Sequence, residues 1–371
     1  MTSYITANDL ARDLALRDLS DPAQGPHAMQ QILSTAIDAL ATAWKIPATT
    51  LRLSPLVPVE DNYDRLGFDA HAVTRDQRYS RYLSPTVMLR SHTSASVPWL
   101  LADRTRQRDV DQLVAMPGLV YRRDAIDRTH VGAPHQVDLW RIASRPDLDE
   151  SDLDEMVAII VEAVLPGARW RAVPAFHPYT TSGRQIDVLM SDEWLELAEC
   201  GLVASHLFER AHVDPSQWSG LALGMGLDRA LMLRKGVDDI RLLRSEDPRI
   251  RSQMLDLSPW EPVSVMPPIR RDISIVIDEH ADEETLGDAV RSALGDRIED
   301  LEAVEVLNIT SYEALPPQAR QRLALNPNQV NALLRISLRP LFRTLTDAEA
   351  NEIRDIIYLA VHQGAVLELI S

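Results

Sequence analysis

The sequence predicts an α+β protein in two parts, and three observations carry that prediction. Strand-like runs crowd one stretch: Leu119–Arg122, His135–Ile142, Ile186–Met190, Trp194–Ala198 and Leu221–Gly224, with helix-like segments outside them. Bunched strands flanked by helices imply an antiparallel sheet rather than regular strand–helix alternation. Pro259, Pro262, Pro267 and Pro268 then mark a linker. Beyond it the order is strand Asp272–Ile277, helix Asp282–Leu294, strand Leu301–Ile309, strand Ala332–Arg339, helix Thr346–His362 and strand Val366–Ile370. That order, βαββαβ, is the split βαβ unit. The expected domains are therefore 1–266 and 267–371.

Each element has a local reason. Met29, Ile32, Leu33, Ala36, Ile37, Leu40 and Trp44 recur at helical spacing, with Asp21-Pro22 ahead of them as cap and first-turn residue. In HQVDLWRI, alternation puts Gln136, Asp138 and Trp140 on one face of a strand and Val137, Leu139 and Arg141 on the other. Thr346 with Glu349 makes a capping box for the last helix. The stretch from Pro316 to Asn331 reads as a long loop.

Composition narrows the class of function. The chain has 371 residues, 45% hydrophobic and 25% charged, which suits an ordinary globular protein of two or three domains. It has no run of 18 apolar residues, so no membrane span is expected. The first residues carry Asp9, Asp13 and Asp18 and no apolar core, unlike a signal or transit peptide. The single cysteine, Cys200, excludes an internal disulfide and fits a reducing cytoplasm. Net charge is -17, and the only lysines are Lys45 and Lys235. Residues 267–371 hold 10 arginines, no lysine and 18 acidic side chains, a net of -8. That balance disfavours a broad phosphate-binding face there.

The segment GLALGMGLDRALML, Gly220 to Leu233, carries the most information. Gly224 and Gly226 stand where a strand pattern passes into a helix pattern, and Arg229 falls on the first helical turn. Bare backbone at a helix start beside a planar cation makes an anion site. A dinucleotide fingerprint would need glycine where Arg229 stands, so that motif is excluded. Read blandly, the segment is an ordinary strand-to-helix turn with a surface arginine.

Other segments raise the functional reading. GLVYRRDAIDRTHVGAPHQVDLWRI, Gly118 to Ile142, together with the Gly224–Arg229 turn, resembles motifs 2 and 3 of class II aminoacyl-tRNA ligases. The form is that of phenylalanine–tRNA ligase, where the patterns read YRRDxxDxTHxxxFHQxEG and GxGMGxxR. MLRSHTSASVPWLL, Met88 to Leu101, is similar to that family's LRTHTS segment, and Tyr63 to Leu83 to its FDxLNxPxxHPSR stretch. The helix from Met29 takes the place of motif 1, with Pro55 as its proline. The C-terminal part resembles the family's ferredoxin-like anticodon-binding domain.

The resemblance implies a function and its residues. The enzyme would join an amino acid to ATP with Mg2+ and pass the aminoacyl group to tRNA, working by positioning and electrostatics. Arg122 would meet the α-phosphate and Arg229 the far end of ATP, with Asp124, His130, Gly224 and Gly226 completing the nucleotide site. Gln136 and Asp138 would hold the substrate ammonium, Asp138 standing where the family has the longer Glu. His92 and Ser94 would contact the amino-acid end, and Ala222 would leave room for its side chain. The metal ligands are unassigned.

Departures gather around the substrate side chain. The family's FPFT, with two phenylalanines lining the pocket, becomes His177-Pro178-Tyr179-Thr180, or a one-residue shift of it. Its Gly-Cys-Gly becomes Glu199-Cys200-Gly201, and the following His-Pro becomes Ala204-Ser205. The expected substrate is thus phenylalanine or a more polar or differently sized relative. Two rivals stay open here: a paralogue that charges a small molecule or carrier, and a non-catalytic binder of amino acid and ATP. The expected assembly is a monomer or homodimer.

Overall fold

The computed structural model describes residues 4–76, 79–104, 109–123, 125–190, 192–263, 267–341 and 343–367. The chain divides into two compact units. The first comprises Met1–Arg122, Ala133–Val237 and Ser252–Trp260; the second comprises Arg123–Gly132, Asp238–Arg251 and Glu261–Ser371.

The first unit begins with α1 (Ala7–Leu14) and α2 (Ala28–Trp44). Asp21-Pro22 caps a separate short 3-10 turn, Pro22–Gln24, and α2 is capped instead by His27, whose Nδ1 accepts from the Met29 N–H at 3.1 Å. The apolar stripe of α2 buries Met29, Ile32, Leu33, Ala36 and Leu40. Then come β1 (Ala48–Thr50), β2 (Leu56–Pro58), α3 (Val59–Asn62), β3 (Val87–Leu89) and α4 (Val97–Arg104). The main strands follow: β4 (Asp111–Leu119), β5 (His135–Ala143), β6 (Trp170–Pro174), β7 (Thr180–Met190), β8 (Glu193–Val203) and β9 (Ser219–Gly226). Helices α5 (Glu150–Val164), α6 (Ser205–Arg210) and α7 (Leu227–Lys235) lie among them in the chain.

Among the described residues these strands form one sheet in the order β1-β4-β5-β9-β8-β7-β6. Only the β1–β4 pair is parallel. The strand expected at Leu119–Arg122 is displaced: β4 ends at Leu119, and Arg122 makes only an isolated bridge with Ser80. β4 pairs with β5 through Leu119, one residue past Gly118, whose φ is +148. No described helix is long and apolar enough to cross a membrane.

The second unit contains α8 (Pro248–Arg251), β10 (Ile269–Asp278), α9 (Glu283–Leu294), β11 (Leu301–Thr310), α10 (Pro317–Leu323), β12 (Gln329–Leu338) and α11 (Asp347–Val361). Its described strands form an antiparallel sheet in the order β10-β12-β11. Ile273, Ile275 and Ile277 alternate inward from β10 and pack with Leu286, Val290, Ile353 and Ile357 of the two long helices. Thr346 and Glu349 form the expected capping box. The expected loop 316–331 contains α10 instead, begun by Pro317 at its first position. This helix buries none of its residues, so no apolar stripe announces it. Of the last expected strand, Val366 and Leu367 are not in a strand, and 368–370 lie outside the described residues.

Candidate active site

The site is built on one face of β5, β9 and β8. Gln136 pairs with Gly226, Asp138 with Gly224 and Trp140 with Ala222; across β9, Gly224 pairs with Glu199 and Ala222 with Gly201. Directly paired residues share a face, so Asp138, Gly224 and Glu199 make one row and Trp140, Ala222 and Gly201 the next. The alternation expected for HQVDLWRI is the one observed.

The two glycines act by size. β9 runs unbroken to Gly226, and α7 starts at the next residue, so there is no separate turn as the sequence suggested. Neither glycine has a positive φ, and a Cβ at either would meet nothing within 4 Å. The missing side chains leave open space over the sheet. Gly226 caps α7 without a side-chain bond, so the first helical N–H groups lack a side-chain cap.

Arg229 stands third in α7, half-buried, with no hydrogen bond or ion pair among the described residues. Arg122 donates through Nε to the Ser91 carbonyl at 2.8 Å. Both guanidinium charges reach Glu196 on β8. Crowding by protein atoms raises the Glu196 carboxyl and the Glu199 charge adds to this, while Arg229 and Arg122 pull it down. The two arginines therefore flank one carboxylate.

Asp138 is buried and accepts from Thr93 Oγ1 at 2.5 Å, Ser94 Oγ at 2.9 Å and Trp140 Nε1 at 3.0 Å. Burial raises its pKa against these three donors. Ser94 thus orients the carboxylate, and part of one lone-pair set remains for a ligand. The Gln136 amide, one row away, has no side-chain partner among the described residues.

Above the sheet lies an aromatic group. Tyr179 stacks near Trp140, with centroids 6.3 Å apart at 28°, and lies 6.1 Å from Phe68. Phe68 stacks on His92 at 5.6 Å and 22°. Burial, then the Arg122 charge, holds His92 down to a pKa of about 3, and neither ring nitrogen has a hydrogen-bond partner among the described residues. Burial and the Asp138 carboxylate push the Tyr179 phenol up. His177 donates through Nε2 to Glu199 at 2.9 Å, and this bond raises its pKa against burial. Phe176 is 88% exposed, so His177 and Tyr179 are the rings turned to the site.

Arg122, Arg229, Gln136, Asp138, Ser94, His92, His177, Tyr179, Ala222, Gly224 and Gly226 thus lie in the first unit, on this face or in the charge network above it. His130 belongs to the second unit, where Nδ1 bonds Asp127 at 2.7 Å. Asp124 lies outside the described residues. Among the described residues, no three His, Cys, Asp or Glu side chains converge to hold a metal.

Sequence reasoning missed two supports. His135 is fully buried; its Nδ1 donates to Asp228 at 3.0 Å and its Nε2 accepts from the Leu19 N–H at 2.9 Å. Asp228 also accepts from the His135 N–H at 2.5 Å. This pair ties the residue before Gln136 to the residue before Arg229. The other support is Thr93, the nearest donor to Asp138. The signal for the first was an acid at the second position of α7 facing a strand residue off the site face.

Comparison with known proteins shows the family. The tRNA synthetases class II core domain (F) matches residues 29–254. The phenylalanine–tRNA ligase alpha subunit of Prochlorococcus marinus (strain MIT 9313) is 31% identical over 239 residues, covering 64% of this chain and 69% of the relative. The chloroplastic/mitochondrial phenylalanine–tRNA ligase of Arabidopsis thaliana is 26% identical over 332 residues, covering 85% and 72%. The solved pyrrolysyl-tRNA synthetase of Desulfitobacterium hafniense has a TM-score of 0.47 at 18% identity, over 64% of this chain and 78% of that one. The chain belongs to the class II aminoacyl-tRNA ligases, in their phenylalanine–tRNA ligase branch, and is an enzyme of that class.

Proposed function

We propose that the protein activates phenylalanine or a related amino acid with ATP and transfers it to tRNA. The observation that carries this reading is Arg229, an arginine that makes no hydrogen bond or close ion pair among the described residues, beside open space over Gly224 and Gly226. A half-buried cation that no carboxylate grips directly, next to bare backbone and an uncapped helix start, is arranged for an anion.

The residues fit ATP. Gly224 and Gly226 would let its base or phosphates approach the sheet, Arg229 would meet one end and Arg122 the reacting phosphate. Asp124 and His130 are assigned to the nucleotide on resemblance. Mg2+ would neutralise the phosphates and be held mainly through them, as sites with few carboxylates usually hold it. Gln136 and Asp138 would hold the substrate ammonium. His92, Ser94, His177, Tyr179 and Ala222 would surround the rest of the amino acid. The antiparallel sheet and paired helices of residues 267–371 support a ferredoxin-like domain of the anticodon-binding type. The boundary near 266, a cytoplasmic setting and a monomer or homodimer belong to the same reading. Neither a non-tRNA acceptor nor a non-catalytic binder is favoured by any feature of the site. Amino-acid-dependent exchange of pyrophosphate into ATP tests the proposal. Exchange should occur in the wild type and fall about 10²–10³-fold in Arg229→Ala.

A further inference from the structure

The site has one closed end and one open end. In the row of Ala222, Trp140 is fully buried and packs with Val114, Met116, Leu207, Phe208 and Tyr179. Beside it, a Cβ on Gly201 would fall 2.7 Å from Thr180. This apolar end is filled by the chain's own side chains. One row away, over Gly224, the space is open, and the neighbours are Asp138 on one side and Glu199 on the other. His177 reaches over to Glu199, whose side chain is 40% exposed.

We propose that the site takes an amino acid with a short, neutral side chain bearing a hydrogen-bonding group, selected by His177 and Glu199. The proposal rests on the reading that this site binds an amino acid. Trp140 and Tyr179 stack 6.3 Å apart over the Ala222 end, which leaves little room there for a benzyl group. A benzyl group over Gly224 would instead cover the His177–Glu199 pair and strip its water without offering a hydrogen bond in return. Desolvating a charged pair without new bonds is how a polar site rejects an apolar ligand. The carboxylates of Asp138, Glu196 and Glu199 surround His177, while Arg122 and Arg229 act on Glu196, so a further acidic side chain beside His177 and Glu199 is disfavoured. A short hydroxyl or amide can bond His177 or Glu199 without disturbing that balance.

The test compares L-serine, L-threonine, L-asparagine, L-aspartate and L-phenylalanine with the full-length protein. Pyrophosphate exchange gives kcat/KM, and calorimetry with a non-hydrolysable ATP analogue gives binding. At least one of the first three should exceed phenylalanine by about 100-fold or more. The double variant His177→Phe, Glu199→Gly should shrink that ratio to about 10-fold or less, mainly through KM, with its circular dichroism unchanged. Phenylalanine preferred by the wild type overturns the proposal and leaves amino-acid activation standing. An unchanged ratio in the folded double variant also overturns it. Selective binding of the polar amino acids without exchange supports the selectivity and refutes activation. Failure of all five to bind refutes both.

Discussion

Arg335, Arg339 and Arg343 of the C-terminal unit and Arg229 of the catalytic unit meet opposite fates. Arg335 grips Asp272 with two bonds of 2.9 and 2.8 Å. Arg339 pairs with Glu302 at 2.7 Å, and Arg343 pairs with both Asp300 at 2.7 Å and Glu349 at 2.9 Å. These guanidinium groups are spent inside a domain that carries more acid than base. Arg229 has no such partner among the described residues and stands beside open space. The lesson is that pairing, not the number of arginines, separates a cation that holds the protein from one that waits for a ligand. The catalytic unit does use arginine structurally, as in Arg81–Asp13 at 2.8 Å, where both partners are buried. Arg229, half-buried and without such a bond among the described residues, contrasts with Arg81 in its own unit.

If Arg229 is held ready, the buried frame behind it should matter most. Asp228→Ala strips partners from the His135 ring and backbone at once. Buried donors left unpaired cost about 3 kcal/mol in total. Denaturant unfolding should show that loss, and the KM for ATP should rise with it. A stability within 1 kcal/mol of wild type would mean that the pair supports nothing.

Asp138→Asn sharpens the comparison on the acidic side of the site. The substitution keeps size and removes charge, so the KM for the amino acid should rise about 10-fold while the KM for ATP holds. Steady-state exchange kinetics at saturating ATP would separate the two constants. An unchanged amino-acid KM would show that Asp138 only anchors Thr93, Ser94 and Trp140.

The His177–Glu199 pair gives a smaller, pH-dependent effect. Glu199 raises the His177 pKa in the folded state, so the pair's contribution is full below the ordinary histidine value near 6.5. It is lost as pH rises through the raised folded value. The stability difference between wild type and Glu199→Gln should be largest near pH 6 and vanish at higher pH. Both side chains are partly solvated, so it should stay below about 1 kcal/mol. A difference that grows with pH would contradict the assigned charge states.

The smallest effect belongs to the C-terminal unit. Arg335→Gln and Arg343→Gln remove cations that already face carboxylates. Full-length binding to bulk tRNA should change by about twofold or less, with the salt slope nearly constant. A slope reduced by about one per arginine would show that these residues contact phosphate after all.

Much of this was legible before the structure. Strict alternation in HQVDLWRI placed Gln136, Asp138 and Trp140 on one face because β5 is regular and paired on both sides. The long helices of the C-terminal unit announced themselves by apolar spacing and caps. Other features left no local trace. α10 has no buried stripe, and β4 begins with Asp111-Gln112 and carries Pro117-Gly118 just before its last residue, which hide a buried strand behind turn-like residues. The pairing of Arg335 and the isolation of Arg229 depend on residues far away in sequence. So does the filling of the Ala222 end by Trp140, since size alone did not show where the indole would lie.

The most direct measurement sets one arginine of each kind side by side. Pyrophosphate exchange should be assayed with saturating ATP in Arg229→Ala and in Arg335→Ala, against wild type. The account predicts a fall of about 10²–10³-fold for Arg229→Ala, the loss expected when a preorganised charge contact to the reacting phosphates is removed. It predicts a rate within about twofold of wild type for Arg335→Ala, a partly exposed pair of little consequence for chemistry. Near-normal exchange in Arg229→Ala, or an equal loss in both variants, would contradict the claim that the unpaired arginine is the one that works.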